Sequence, residues 1–116
     1  MNLIFIHGFG GNADQFRKNL PVLSKTLGAD CYAVDLLGYG YSDKPDPRDP
    51  SWGGVNQLYN FENWSEQISK FIKDVVKKGK ADNSKTILVC NSVGGVSYPY
   101  FNIPISDSSL LLMAAV

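Results

Sequence analysis

The chain has 116 residues, 44% of them hydrophobic, and its eleven Lys and Arg balance eleven Asp and Glu. That length allows one domain at most, and a zero net charge without a Lys/Arg cluster excludes nucleic acid as an expected partner. No apolar run approaches the roughly 18 residues of a membrane span, and Met1-Asn2-Leu3-Ile4-Phe5-Ile6 is too short and uncharged for a signal peptide, so a soluble, intracellular chain is expected.

Leu3-Ile4-Phe5-Ile6 reads as a buried strand, and it ends in the glycine-rich His7-Gly8-Phe9-Gly10-Gly11-Asn12. Asn12 is a candidate cap for the next helix, with Gln15 three residues on as in a capping box. Phe16, Leu20, Leu23 and Leu27 then recur at helical spacing, Gly28 is the expected stop, and Pro21 is expected to kink that helix or divide it in two. Asp30-Cys31-Tyr32-Ala33-Val34-Asp35 is the second expected strand. A glycine-punctuated loop follows, Leu36-Leu37-Gly38-Tyr39-Gly40-Tyr41-Ser42-Asp43-Lys44-Pro45. From Pro45 to Asn60 the richness in Pro, Asp and Gly predicts an excursion over the surface.

Asn60 is placed to cap a second helix, whose stripe is Trp64, Ile68, Phe71, Ile72, Val75 and Val76 and whose end is Gly79. Lys77-Lys78-Gly79-Lys80 fits the solvated carboxyl end of that helix, where cations suit the dipole. The chain then enters Ile87-Leu88-Val89-Cys90-Asn91-Ser92-Val93-Gly94-Gly95, an apolar run that breaks at a serine among small residues. Strand, helix, strand, helix, strand implies a parallel sheet with right-handed crossovers. Cys31 and Cys90 match neither a metal-binding spacing nor a disulfide framework and read as small apolar strand residues; no metal and no cofactor is expected. After Val96, Pro99 and Pro104 prevent Ser97 to Pro104 from forming one helix, and the closing run Leu110 to Val116 is compatible with a strand or a short helix.

Two chemistries compete for the glycines. Gly8-Phe9-Gly10-Gly11-Asn12-Ala13 matches a dinucleotide fingerprint, with Asp35 close to where a ribose-binding acid sits about twenty residues on. That reading leaves the loop from Gly38 to Asp43 and the stretch from Cys90 to Gly95 without a role. The other reading uses all three stretches. Ser92 at a strand's carboxyl end, with Gly94 two residues on, resembles the G-x-S-x-G elbow that presents a nucleophilic serine, Cys90 standing at the first glycine position. The backbone N–H groups of Phe9 and Val93 would then stabilise an oxyanion, each such donor being worth roughly 3 kcal/mol. His7 would shape the first loop.

These three stretches together resemble the serine α/β-hydrolases, closest to the plant and algal pheophytinase-like group, from about Leu3 to Val96. The resemblance implies a partial α/β-hydrolase core over residues 1–96 with a divergent tail over 97–116. Its three-stranded parallel sheet would set the family's fourth, third and fifth strands side by side, Leu3-Ile6 central, with crossover helices. In that order Cys31 and Cys90 lie roughly 10 Å apart, too far for a disulfide. The resemblance further implies a small lipophilic acyl substrate, Ser92 as nucleophile, His7, Gly8, Gly10, Asn91 and Gly94 in support, and a plastid setting.

The family's serine is activated by a later acid and histidine. Here His7 is the single histidine, and Asp107 is the one acid after Ser92, with nothing in the sequence to place it as the triad acid. The expectation is therefore a truncated product with little or no activity of its own. A non-catalytic fragment that associates through exposed sheet edges is the competing expectation, and the dinucleotide-binding module a third.

Overall fold

The computed structural model describes residues 1–79, 84–92 and 110–115, with nothing said of the side chains of residues 55 and 110–115. Four strands, β1 (Asn2–Ile6), β2 (Asp30–Val34), β3 (Thr86–Asn91) and β4 (Leu110–Ala115), form one parallel sheet in the order β2-β1-β3-β4. The three-stranded arrangement expected from the sequence is present. The closing apolar run adds a fourth strand, pairing Thr86 with Leu110 through Asn91 with Ala115. Its character was left open by its sequence because a short apolar run has no period that separates strand from helix.

β1 is buried along its whole length because it has a strand on either side and a layer on both faces. Side chains alternate between those faces. Ile4, Ile6, Val34, Leu88 and Cys90 meet Trp64, Ile68, Ile72 and Val76 in the larger core. Leu3, Phe5 and Ala29 form a smaller core, with Phe16, Leu20, Leu23, Cys31, Ile87 and Val89 partly buried against it. The two cysteines thus point to opposite faces, and both are free thiols.

The helices explain this asymmetry. The first stripe is divided, as Pro21 demands: a 3-10 turn over Ala13–Phe16, then α1 (Asn19–Leu27), ended by Gly28. Pro21 stands in the first turn of α1, where its missing N–H has no intrahelical acceptor to lose. Leu27 lies past the sheet and is 50% exposed, so α1 contributes only half-buried leucines. The excursion after Pro45 holds a 3-10 turn, Pro50–Trp52, and one helical turn, α2 (Val55–Leu58). α3 (Phe61–Phe71) starts where Asn60 accepts the Asn63 N–H at 2.8 Å. It then widens into a π-helical segment, Ile72–Val76, in which the Lys77 N–H reaches the Ile72 carbonyl. The wider turn brings Ile72 and Val76 onto the sheet and turns Val75 outward, so the expected place of Val75 in the buried stripe is corrected: it is 51% exposed.

Candidate active site

In a parallel sheet all strands deliver their following loops to one end. Ile6 is level with Val34 on one side and with Cys90 on the other, so the loops after β1, β2 and β3 rise from one row. Ser92 stands just beyond β3, exposed, with φ of +48°. Among the described residues it alone, apart from glycines, takes a positive φ. An L-residue in this region carries steric strain of roughly 1–2 kcal/mol, because Cβ crowds its own carbonyl.

The loop after β1 lies against this bend. A Cβ added to Gly8 would sit 2.7 Å from Asn91 Oδ1 and 3.2 Å from Ser92 Cβ, so a side chain here would press directly on the bend. Gly8 to Gly11 is a turn closed by the Gly11 N–H on the Gly8 carbonyl at 3.0 Å, and Gly10 takes the positive φ (+73°) that the third residue of a type II turn requires. The turn's own bond leaves the Phe9 N–H unused, and that N–H has no hydrogen-bond partner among the described residues. The Phe9 ring is 79% exposed. Val93 and Gly94, the other donor and the small residue expected behind the serine, lie outside the described residues.

His7 is fully buried, and both its ring nitrogens are engaged. The Leu36 N–H donates to Nε2 at 3.1 Å, which makes Nε2 the unprotonated nitrogen. Nδ1–H therefore donates to the Gly8 carbonyl at 2.8 Å. The imidazole is a brace between the loops after β1 and β2.

Asp35 plays a part that its sequence position did not disclose. Its carboxylate accepts the Ala13 N–H at 2.6 Å and the Tyr41 N–H at 2.9 Å, while its carbonyl accepts Ser42 Oγ and Gln67 Nε2. The ribose-binding role considered for Asp35 is thereby corrected, since both carboxylate oxygens already serve the protein's own loops. The chain entering Ala13–Phe16 forms a 3-10 turn, too short to offer the helix N-terminus a pyrophosphate needs. α3 holds the same loop from the other side: Gln67 Oε1 accepts the Leu37 N–H at 2.8 Å, and Trp64 Nε1 donates to the Leu37 carbonyl at 3.0 Å. Trp64 and Gln67 are one helical turn apart, the spacing by which one helix face can grip one loop.

Beneath Ser92, Cys90 is buried, and burial pushes its thiol up to about 11, so this sulfur stays protonated at neutral pH. Around Phe9 an aromatic chain continues through Tyr39 (6.2 Å between ring centroids) to Trp64 (6.1 Å) and Phe61 (5.7 Å). Phe9, Gly38, Tyr39, Tyr59 and Trp64 line a cleft of about 400 Å³. Among the described residues no cluster of His, Cys, Asp and Glu has metal-holding geometry, and no helix is long and apolar enough to cross a membrane.

A family model described as the alpha/beta hydrolase fold matches residues 2–96. Over 69 residues the chain is 36% identical to the (lyso)-N-acylphosphatidylethanolamine lipase of Bos taurus, a match covering 57% of this chain and 19% of that one. Among solved structures it resembles an extracellular alpha/beta-hydrolase from a Paenibacillus species, with a TM-score of 0.67 at 19% identity over 98% of this chain and 39% of that one. A methylesterase from Arabidopsis gives a TM-score of 0.67 at 21% identity, over 100% of this chain and 44% of that one. The chain thus spans about a fifth of the curated relative's length and less than half of the solved structures'. With a parallel sheet, a strained serine beyond β3 and a family model matched from residue 2 to residue 96, the chain belongs to the alpha/beta hydrolase fold family.

Proposed function

We propose that this chain carries the nucleophile and oxyanion loop of a serine hydrolase acting on an ester or related acyl bond of a lipophilic substrate. The observation that carries the reading is the positive φ of Ser92 at the carboxyl end of β3, with Gly8 packed against it. In the reaction Ser92 Oγ forms a bond to the carbonyl carbon while its proton passes to a base, and the carbonyl oxygen becomes an oxyanion. The Phe9 and Val93 N–H groups would hold that charge. Collapse of the intermediate expels the alcohol, and water then releases the acid.

Asn91 and Gly8 set where Ser92 stands, while His7 and Gly10 set where the Phe9 amide stands. His7 does not serve as the base, because its Nε2 accepts the Leu36 N–H. No other histidine occurs in this chain, so turnover by the chain alone is expected to be slight. A finer assignment, to a pheophytinase-like group working in plastids, rests on the stretch from Asp35 to Pro45 together with the other two motifs. Lipases among the relatives support a lipophilic acyl substrate.

The test is covalent labelling with a fluorophosphonate probe in the presence of added imidazole, which supplies the base that this chain lacks, so that labelling needs only an accessible serine and an oxyanion hole, and no deacylation. Labelling of the chain that vanishes in Ser92→Ala supports the reading. Absence of labelling in both overturns it in favour of a non-catalytic fragment that associates through its sheet edges.

A further inference from the structure

We propose that the cleft lined by Phe9, Gly38, Tyr39, Tyr59 and Trp64 is a subsite for a flat, uncharged aromatic group of the substrate ester; this rests on the serine-hydrolase reading for the identity of the ligand, not for the site. The cleft encloses about 400 Å³, within the range of small-molecule pockets. Among the described residues no charged side chain lines it. Its polar atoms are largely spent within the protein: the Tyr59 hydroxyl donates to the Pro45 carbonyl at 2.6 Å, and Trp64 Nε1 to the Leu37 carbonyl at 3.0 Å. What the walls offer a ligand is ring surface.

Gly38 allows the Tyr59 ring to close against the backbone, since an added Cβ would fall 2.6 Å from Tyr59 Cε1. The remaining rings are inclined to one another, Phe9 to Tyr39 at 74° and Tyr39 to Trp64 at 56°, so a planar guest meets both edges and faces. A flat group also loses few rotors on entering, whereas a flexible chain loses many. Phe9 joins the cleft to the chemistry, because its amide is the candidate oxyanion donor and its ring a wall. A second cleft, lined by Leu37, Asp43, Lys44, Pro45, Trp52 and Leu58, presents a carboxylate and an ammonium and does not suit the same guest.

The experiment titrates methyl 1-naphthoate and methyl octanoate into the full chain bearing Ser92→Ala, following amide and indole resonances by NMR. The naphthoate is expected to bind at least fivefold more tightly and to shift Phe9, Gly38, Tyr39 and the Trp64 indole. Phe9→Ala, at an exposed position that leaves the core untouched, should weaken it roughly three- to tenfold, as loss of one ring contact does. Equal or tighter binding of the octanoate, shifts mapping elsewhere, or no binding of either overturns the proposal. Fluorophosphonate labelling of Ser92 in the unsubstituted chain is read separately, so an empty cleft beside a live serine, or the reverse, tells which reading failed.

Discussion

The core under α3 and the rim above it are built on opposite terms. Below, Ile4, Ile6, Leu88, Ile68 and Val76 are sealed from water in one apolar cluster. Above, within three residues of that core, the chain bends through a positive φ at Ser92, leaves the Phe9 ring in solvent, and crosses between loops on His7 and Asp35. The difference teaches where each property resides. Burial of side chains such as Ile68 stabilises the fold by roughly 1.5–3 kcal/mol apiece, and a part of that offsets the backbone strain at Ser92.

The sharpest way to break this contrast is Ile68→Ala. Ile68 is 0% exposed and its replacement leaves a cavity between α3 and the sheet, so stability in urea should fall by about 3 kcal/mol. A loss under 1 kcal/mol would mean that the core does not carry the rim. The opposite sign is expected of Ser92→Gly. It should raise stability by roughly 0.5–1 kcal/mol, the left-handed strain relieved less the freedom glycine adds to the unfolded chain, while abolishing fluorophosphonate labelling. A destabilised Ser92→Gly would place the strain elsewhere. The gentlest probe is alkylation by iodoacetamide at pH 8. Cys90 lies in the sealed core with its thiol pushed up to about 11 by burial, so its thiolate is scarce there. Cys31, half-buried on the other face, is raised by its own burial and then by the Asp30 charge, but remains open to reagent and should react roughly tenfold faster or more. Comparable rates would show that the core is open right up to the residues beneath Ser92.

What the sequence disclosed was local. Apolar runs marked β1, β2 and β3, Asn60 marked the start of α3, and Pro21 marked the break before α1, because each signal is spent within a turn or a strand of its own position. The motif around Ser92 and the glycines after His7 were legible as a pair, and the structure brings Gly8 and Ser92 together through adjacent strands. Other features depend on what lies across the fold. Val75 keeps the helical spacing of its neighbours yet is turned out by the π-helical segment, and α2 is a single turn without any period to read. Asp35 gave the most misleading signal. As a letter after a strand it fitted a ribose, and only the approach of residues 13 and 41 shows it bound to backbone amides. Trp64 read as the core face of a helix and Gln67 carried no signal; that both grip the loop at Leu37 is a tertiary fact.

The level ends of β1, β2 and β3 carry a last consequence. Loops that spring from one shelf can be lengthened or recomposed without disturbing a rung of the ladder beneath, provided the braces at His7 and Asp35 are kept. Chemical novelty on such a frame is inherited loop by loop.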